Sequence, residues 1–211
     1  MKKIAAFLTV CLLLFSLSAC AGTAQESEGD TQPQTNASAP SDTAQAQSDT
    51  SGSSDAIVVY FSWSGNTQAV AQEIQRQTGA DIFEITPQTP YTDDYDTLVD
   101  LAQQEQREDA RPAISGSVDL SGYDTVYLGY PNWWGDMPMI LYTFLDTYDL
   151  SGKTVAPFVT SGGSGFSNTL DTIAQLEPNA SVTQGLALGS SQADDCSSDV
   201  AEWLSEIGLA S

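Results

Sequence analysis

The sequence contains no histidine, only six lysines and arginines against 28 acidic residues, and only three cysteines. Each shortage removes a class of chemistry. Without imidazole there is no Ser-His or Cys-His nucleophile and no histidine metal ligand. Cys11, Cys20 and Cys196 lie far apart with no C-x-x-C between them. Neither a zinc site nor a thioredoxin-like redox pair is therefore expected, and no metal is assigned. The formal charge of −22 argues against nucleic acid as a partner, because phosphate backbones are bound through Lys and Arg. It fits a basic protein partner. It equally fits an exported protein kept soluble by its own charge.

Two of the six basic residues, Lys2 and Lys3, open the chain, and residues 4–17 are almost wholly apolar. That run is shorter than the roughly 20 residues that span a bilayer and reads as the apolar region of a secretory signal. It ends in Leu17-Ser18-Ala19-Cys20, which resembles the bacterial lipobox. The resemblance implies a lipoprotein signal peptide over residues 1–19, cleavage before Cys20 and lipidation of the Cys20 thiol. Four basic and 28 acidic residues then remain, a charge of −24. Residues 21–54 contain no aromatic residue and no Leu, Ile, Val or Met. Nothing there offsets the entropy of ordering a backbone, so a disordered tether is expected. As a flexible coil it reaches roughly 30 Å, holding the remainder of the chain at the extracytoplasmic face of a membrane.

Residues 55–211 have the size of one domain, in which short apolar runs alternate with helical periods. Strands are expected over residues 56–61, 81–85, 124–129, 153–160 and 181–188. Helices are expected over 67–78, 95–107, 139–147, 167–176 and 195–207. Asn66 or Thr67 is the expected cap of the first helix, Tyr95, Leu98, Val99 and Ala102 share one side of the second, and the third is apolar nearly all round. Five strands alternating with five helices predict an α/β, doubly wound, parallel sheet. Pro157 has no N–H for a central ladder, so a bulge or break is expected in the fourth strand.

In such a sheet, ligands bind beyond the carboxyl ends of the strands. Three loops leave those ends. Ser62-Trp63-Ser64-Gly65-Asn66-Thr67 aims hydroxyls, N–H groups and a helix N-terminus at one point, as a phosphate site does. It lacks G-x-G-x-x-G and the P-loop lysine, which suits a terminal monophosphate. Pro131-Asn132-Trp133-Trp134-Gly135 offers two indoles that could cover a planar heterocycle, although at least one is expected inside the fold. Ser161-Gly162-Gly163-Ser164-Gly165 lets backbone donors approach a ligand closely.

Ser62-Trp63-Ser64-Gly65-Asn66-Thr67 is similar to the flavodoxin phosphate loop, T/S-x-T/S-G-N-T. The loops 128–138 and 160–165 look like those of a bacterial flavodoxin-like subfamily, and the Pro131…Trp134…Met137-Pro138 spacing resembles flavodoxin-type quinone reductases. The resemblance implies a flavodoxin-like fold with strand order 2-1-3-4-5, helices on both faces, and non-covalently bound FMN. By that resemblance Ser62, Ser64, Gly65, Asn66 and Thr67 hold the phosphate, with Trp63 among them. Pro131, Asn132, Trp133, Trp134 and Gly135 line the isoalloxazine, and Ser161, Gly162 and Gly163 its pyrimidine edge. Phe166 is the one aromatic residue of the third loop.

The leading expectation is a membrane-anchored FMN protein in electron transfer, with a redox protein or a membrane electron donor as partner. Asp93, Asp94, Asp96 and Asp136 are expected near the cofactor, where negative charge would lower its second reduction potential. An FMN-dependent NAD(P)H or quinol:quinone or flavin reductase is the enzymatic alternative. Against it, Arg76, Arg107, Arg111 and Lys153 are the only cations left for a dinucleotide phosphate. A non-redox ligand-binding lipoprotein is the third reading.

Overall fold

A computed structural model of the chain describes residues 55–210. The signal peptide, Cys20 and the tether expected over residues 1–54 lie outside the described residues. β1 (Ala56–Tyr60) leads to α1 (Asn66–Thr78), β2 (Asp81–Glu84) and the two-residue β3 (Thr86–Pro87). α2 (Tyr95–Glu108), β4 (Ile114–Ser115), β5 (Thr125–Pro131) and α3 (Met139–Thr147) come next. The chain continues through β6 (Thr154–Ser161), α4 (Thr169–Leu176), β7 (Ser181–Val182), β8 (Leu186–Gly189) and α5 (Ser197–Glu206).

The main sheet runs β2-β1-β5-β6, and β7 and β8 both pair with β6. Every ladder in it is parallel. With β7 and β8 taken as two halves of one strand, this is the doubly wound order 2-1-3-4-5. The antiparallel pair β3–β4 is an addition that no sequence period announced.

Strand alternation decides which helix each side chain meets. Val58, Tyr60, Tyr127, Ala156 and Phe158 pack with Val70 and Ile74 of α1 and Val200, Trp203 and Leu204 of α5. Ile57, Val59, Val126, Leu128, Val155 and Val159 face Ile140, Leu141 and Phe144 of α3 and Ile173 of α4. α2 packs beside α3. Helix α3, apolar nearly all round, has Met139, Ile140, Leu141, Phe144 and Leu145 buried.

The break expected at Pro157 lies in the neighbouring strand. β6 is continuous, with Leu128 paired to Pro157 on the β5 side. The Val155 carbonyl accepts the Thr183 N–H at 2.9 Å, so Val155 turns its polar groups toward β7. Pro157, two residues on, turns the same way. Its missing donor therefore faces the fifth strand, which is interrupted between Val182 and Leu186. Val155 pairs with Val182 and Phe158 with Leu186, so the fifth strand carries one extra residue there. This is a bulge on the partner of the proline strand.

Candidate ligand site at the carboxyl edge of the sheet

The chain leaves β1 through a tight turn. Ser62 Oγ accepts the Gly65 N–H at 3.1 Å, and Gly65 sits at φ 90°, a left-handed conformation that glycine adopts without strain. Gly65 is thus the residue before α1, and the expected side-chain cap at Asn66 or Thr67 is absent. The first-turn N–H groups of Asn66, Thr67 and Gln68 have no intrahelical acceptor, and no acid occupies that turn. Thr67 is buried, and its hydroxyl pairs with that of Thr160 at 2.8 Å. That bond ties the first loop to the end of β6.

Beyond β5, Trp133 and Asp136 exchange both backbone hydrogen bonds, at 2.9 and 3.0 Å. The two residues between them, Trp134 and Gly135, have φ of 56° and 80°. Positive φ at both central positions is the type I′ geometry, and it is costly for a tryptophan. Asn132 holds the turn. Its Oδ1 accepts the Gly135 N–H at 3.0 Å, while its Nδ2 donates to the Gly165 carbonyl at 2.8 Å and to Ser167 Oγ at 3.0 Å. One asparagine therefore joins the second loop to the third.

The two indoles of this loop part ways. Trp133 packs edge-on against Phe61 and Tyr91, each at 5.5 Å between ring centroids. Trp134 stays 51% exposed and donates its Nε1 hydrogen to the Val99 carbonyl of α2 at 3.1 Å. Trp63 makes the matching bond from the first loop, Nε1 to the Thr92 carbonyl at 2.9 Å, with its ring tilted on Tyr95. Two tryptophans thus clasp α2 and the chain ahead of it.

In the third loop, Ser161 Oγ accepts the N–H groups of Gly163 and Gly165 at 3.1 and 3.0 Å. The Ser161 carbonyl accepts both the N–H and the hydroxyl of Ser190, which brings a fourth loop to the edge. Phe166 turns away. It packs on Tyr130 and closes over Gly185, where an added Cβ would lie 2.3 Å from Phe166 Cζ.

These loops enclose a cavity of about 510 Å³, in the range of small-molecule sites. Trp63, Ser64, Asn66, Pro131, Asn132, Trp133, Trp134, Ser161 and Gly162 line it. Ser62, Gly65, Thr67, Gly135 and Gly163 do not; they shape the turns that carry the lining residues. The remaining lining consists of Tyr95, Leu98, Val99 and Ala102 of α2, together with Thr160 and Ser190. The apolar stripe of α2 was visible in the sequence, but its periodicity gave no sign that it would face a cavity.

No charged side chain lines the cavity. Asp94 caps α2 by accepting the Thr97 N–H at 2.8 Å. Asp136 accepts the Tyr142 hydroxyl at 2.9 Å and the Met137 N–H at 2.7 Å. Asp93 and Asp96 are exposed. None of the four acids expected near a cofactor belongs to the lining. Burial raises the phenols of Tyr91 and Tyr142 above their ordinary value, so both remain hydrogen-bond donors. Among the described residues, no cluster of His, Cys, Asp and Glu suits a metal ion, and no helix is long and apolar enough to cross a membrane.

A family model described as flavodoxin matches residues 55–207. Comparison with curated proteins returned no match. Among solved structures, a candidate flavoprotein from Bacteroides eggerthii DSM 20697 is 32% identical, with 72% of this chain and 97% of that one covered and a TM-score of 0.65. A second, from Bacteroides uniformis ATCC 8492, is 32% identical over 66% and 95% of the two chains, at 0.59. A flavoprotein from Lactobacillus acidophilus NCFM, solved in complex with FMN, shares the fold at 24% identity, 66% and 96% coverage and 0.56.

Proposed function

The chain belongs to the flavodoxin family, and on that premise we propose that it binds FMN in this cavity and carries electrons at the extracytoplasmic face of a membrane, anchored through lipid on Cys20. The observation that carries the reading is one cavity in which an uncapped helix N-terminus at Asn66 meets indole and glycine-loop walls.

The residues present fit the group. The N–H groups of Asn66 and Thr67, with the Ser64 hydroxyl, would hold a phosphate at the positive end of α1. Ser62 and Gly65 hold the turn that aims them. Pro131, Asn132, Trp133 and Trp134 would line the ring, and Ser161 and Gly162 its polar edge. Ser161 keeps its Oγ for Gly163 and Gly165, so the ring edge would meet backbone groups of this loop. FMN bound there would supply reversible one- and two-electron transfer. Leu98, Val99 and Ala102 would keep water from one side of the ring, and the lining places no fixed charge against it.

The full chain purified from its native membrane is expected to show a flavin absorption band and to release FMN, identified by mass spectrometry. FMN added to the stripped protein should lose fluorescence saturably. Absence of both sinks the reading. Wild type is expected in the membrane fraction and Cys20→Ala in the soluble one; equal partition would remove the anchor from the proposal.

A further inference from the structure

Resting on the flavin reading of the same cavity, we infer that Thr160, near the end of β6, donates its hydroxyl hydrogen to the phosphate held at the N-terminus of α1.

Two buried rows meet at this point. On β6, Ala156 and Phe158 pack with the α1 and α5 residues, and strand alternation turns Thr160 the same way. On α1, Val70, Ala71 and Ile74 are buried, and Thr67 continues that stripe one turn earlier. Thr67 is 1% exposed and Thr160 3%. Packing alone would be served by valine, which has the same branched shape and no polar group to desolvate. Both positions carry a hydroxyl instead, and the two oxygens lie 2.8 Å apart.

The hydrogens of this pair do not balance within the protein. Each hydroxyl has one hydrogen to give and can accept two. One hydrogen lies between the two oxygens, so one is left over. Among the described residues, no other group accepts from either hydroxyl. Thr160 lines the cavity and Thr67 does not. A spare hydrogen on Thr67 would be buried with nothing to meet, which is the costly arrangement. The favourable one has Thr67 donating to Thr160 and Thr160 donating into the cavity.

Thr67 also fixes which group the hydrogen meets. It lies in the first turn of α1, and its own N–H is one of the uncapped donors of that turn. A hydroxyl 2.8 Å from Thr67 Oγ1 is within reach of an anion held there. No charged side chain lines the cavity, so neutral donors carry the whole of a phosphate's charge, and hydrogen bonds to an ionised acceptor are the strong ones. Thr160 is also held firmly. It pairs with Pro131 of β5 and Leu188 of β8, and its carbonyl accepts the Asn132 N–H at 2.9 Å. A rigid strand thus adds one donor to a phosphate site otherwise built from residues 62–67.

The test compares the full-length wild type, Thr160→Val and Thr160→Ser by fluorescence titration with FMN and with riboflavin, which lacks the phosphate. Thr160→Val is expected to weaken FMN binding roughly tenfold, the share of one hydrogen bond to a charged acceptor, and to leave riboflavin binding unchanged. Thr160→Ser keeps the hydroxyl and should bind FMN much as wild type does. Urea denaturation reports the folding of each variant. If Thr160→Val folds poorly because it strands the Thr67 hydroxyl, Thr67→Val/Thr160→Val removes both partners and should show the same selective loss. Unchanged FMN affinity in a folded valine variant, or an equal loss for riboflavin, overturns the inference, while FMN binding by wild type leaves the flavin reading standing. A wild type that binds no flavin removes both.

Discussion

The Trp63 indole donates to the Thr92 carbonyl at 2.9 Å, across 29 residues of sequence. This bond fastens the first loop to the chain that enters α2, and it gives the tryptophan inside a phosphate-type loop a structural purpose. Trp63→Phe keeps a ring against Tyr95 but loses the donor. Stability of the full chain to urea should fall by about 1 kcal/mol, the net value of one such bond. FMN affinity should fall about fivefold if the clasp holds the cavity closed. An unchanged affinity would make the clasp irrelevant to binding.

Tyr91 donates to Glu105 at 2.9 Å, beneath Trp133. Burial raises the Glu105 carboxyl, and the tyrosine bond only partly offsets this. The folded state then binds a proton more readily than the unfolded chain, so stability falls as pH rises through the window above the ordinary glutamate value of about 4.5. Glu105→Gln cannot ionise. Its stability relative to wild type should increase from pH 4 toward neutrality, as measured by chemical denaturation at each pH. A difference that stays flat with pH would show that Glu105 titrates alike in both states.

Gly129 pairs with Tyr60 on one side and Phe158 on the other. A Cβ added to it would lie 2.1 Å from Phe158 Cζ, in a ring that is fully buried. Gly129→Ala should cost about 1–3 kcal/mol, as overpacked cores do. Phe158→Leu in the same chain should recover part of that loss, because the two sites share one space. Additive losses in the double variant would refute the clash.

Ser161 Oγ serves two backbone donors of the third loop. Ser161→Ala releases both. Amide hydrogen exchange at Gly163 and Gly165 should quicken while exchange in β6 stays slow. Uniformly faster exchange would instead indicate global destabilisation.

The α/β alternation, the parallel sheet and the gathering of three loops at one edge were readable from residues alone, while the strand order 2-1-3-4-5 came from the resemblance to flavodoxins. Strand and helix periods are local, and they dictate which face is buried. A parallel sheet then places every βα loop at its carboxyl end. The glycines and hydroxyls of 62–67 and 161–165 likewise announced backbone-built turns. The features that stayed hidden depend on contacts between distant segments. Pro157 displaced its irregularity into β7 and β8 because a missing N–H is felt by the strand it faces. Trp134 took a left-handed conformation because Asn132, Gly165 and the Val99 carbonyl hold its turn from three sides. Phe166 lies outside the cavity lining because Gly185, with no Cβ, lets its ring settle there against Tyr130. Helix α2 became a wall of the site with one indole hydrogen bond to Val99 within it and another to Thr92 just ahead of it, neither of which any spacing encodes. Local periodicity determined the layers and the edge at which a ligand would sit. Only tertiary packing chose the walls of the cavity and left it without charge.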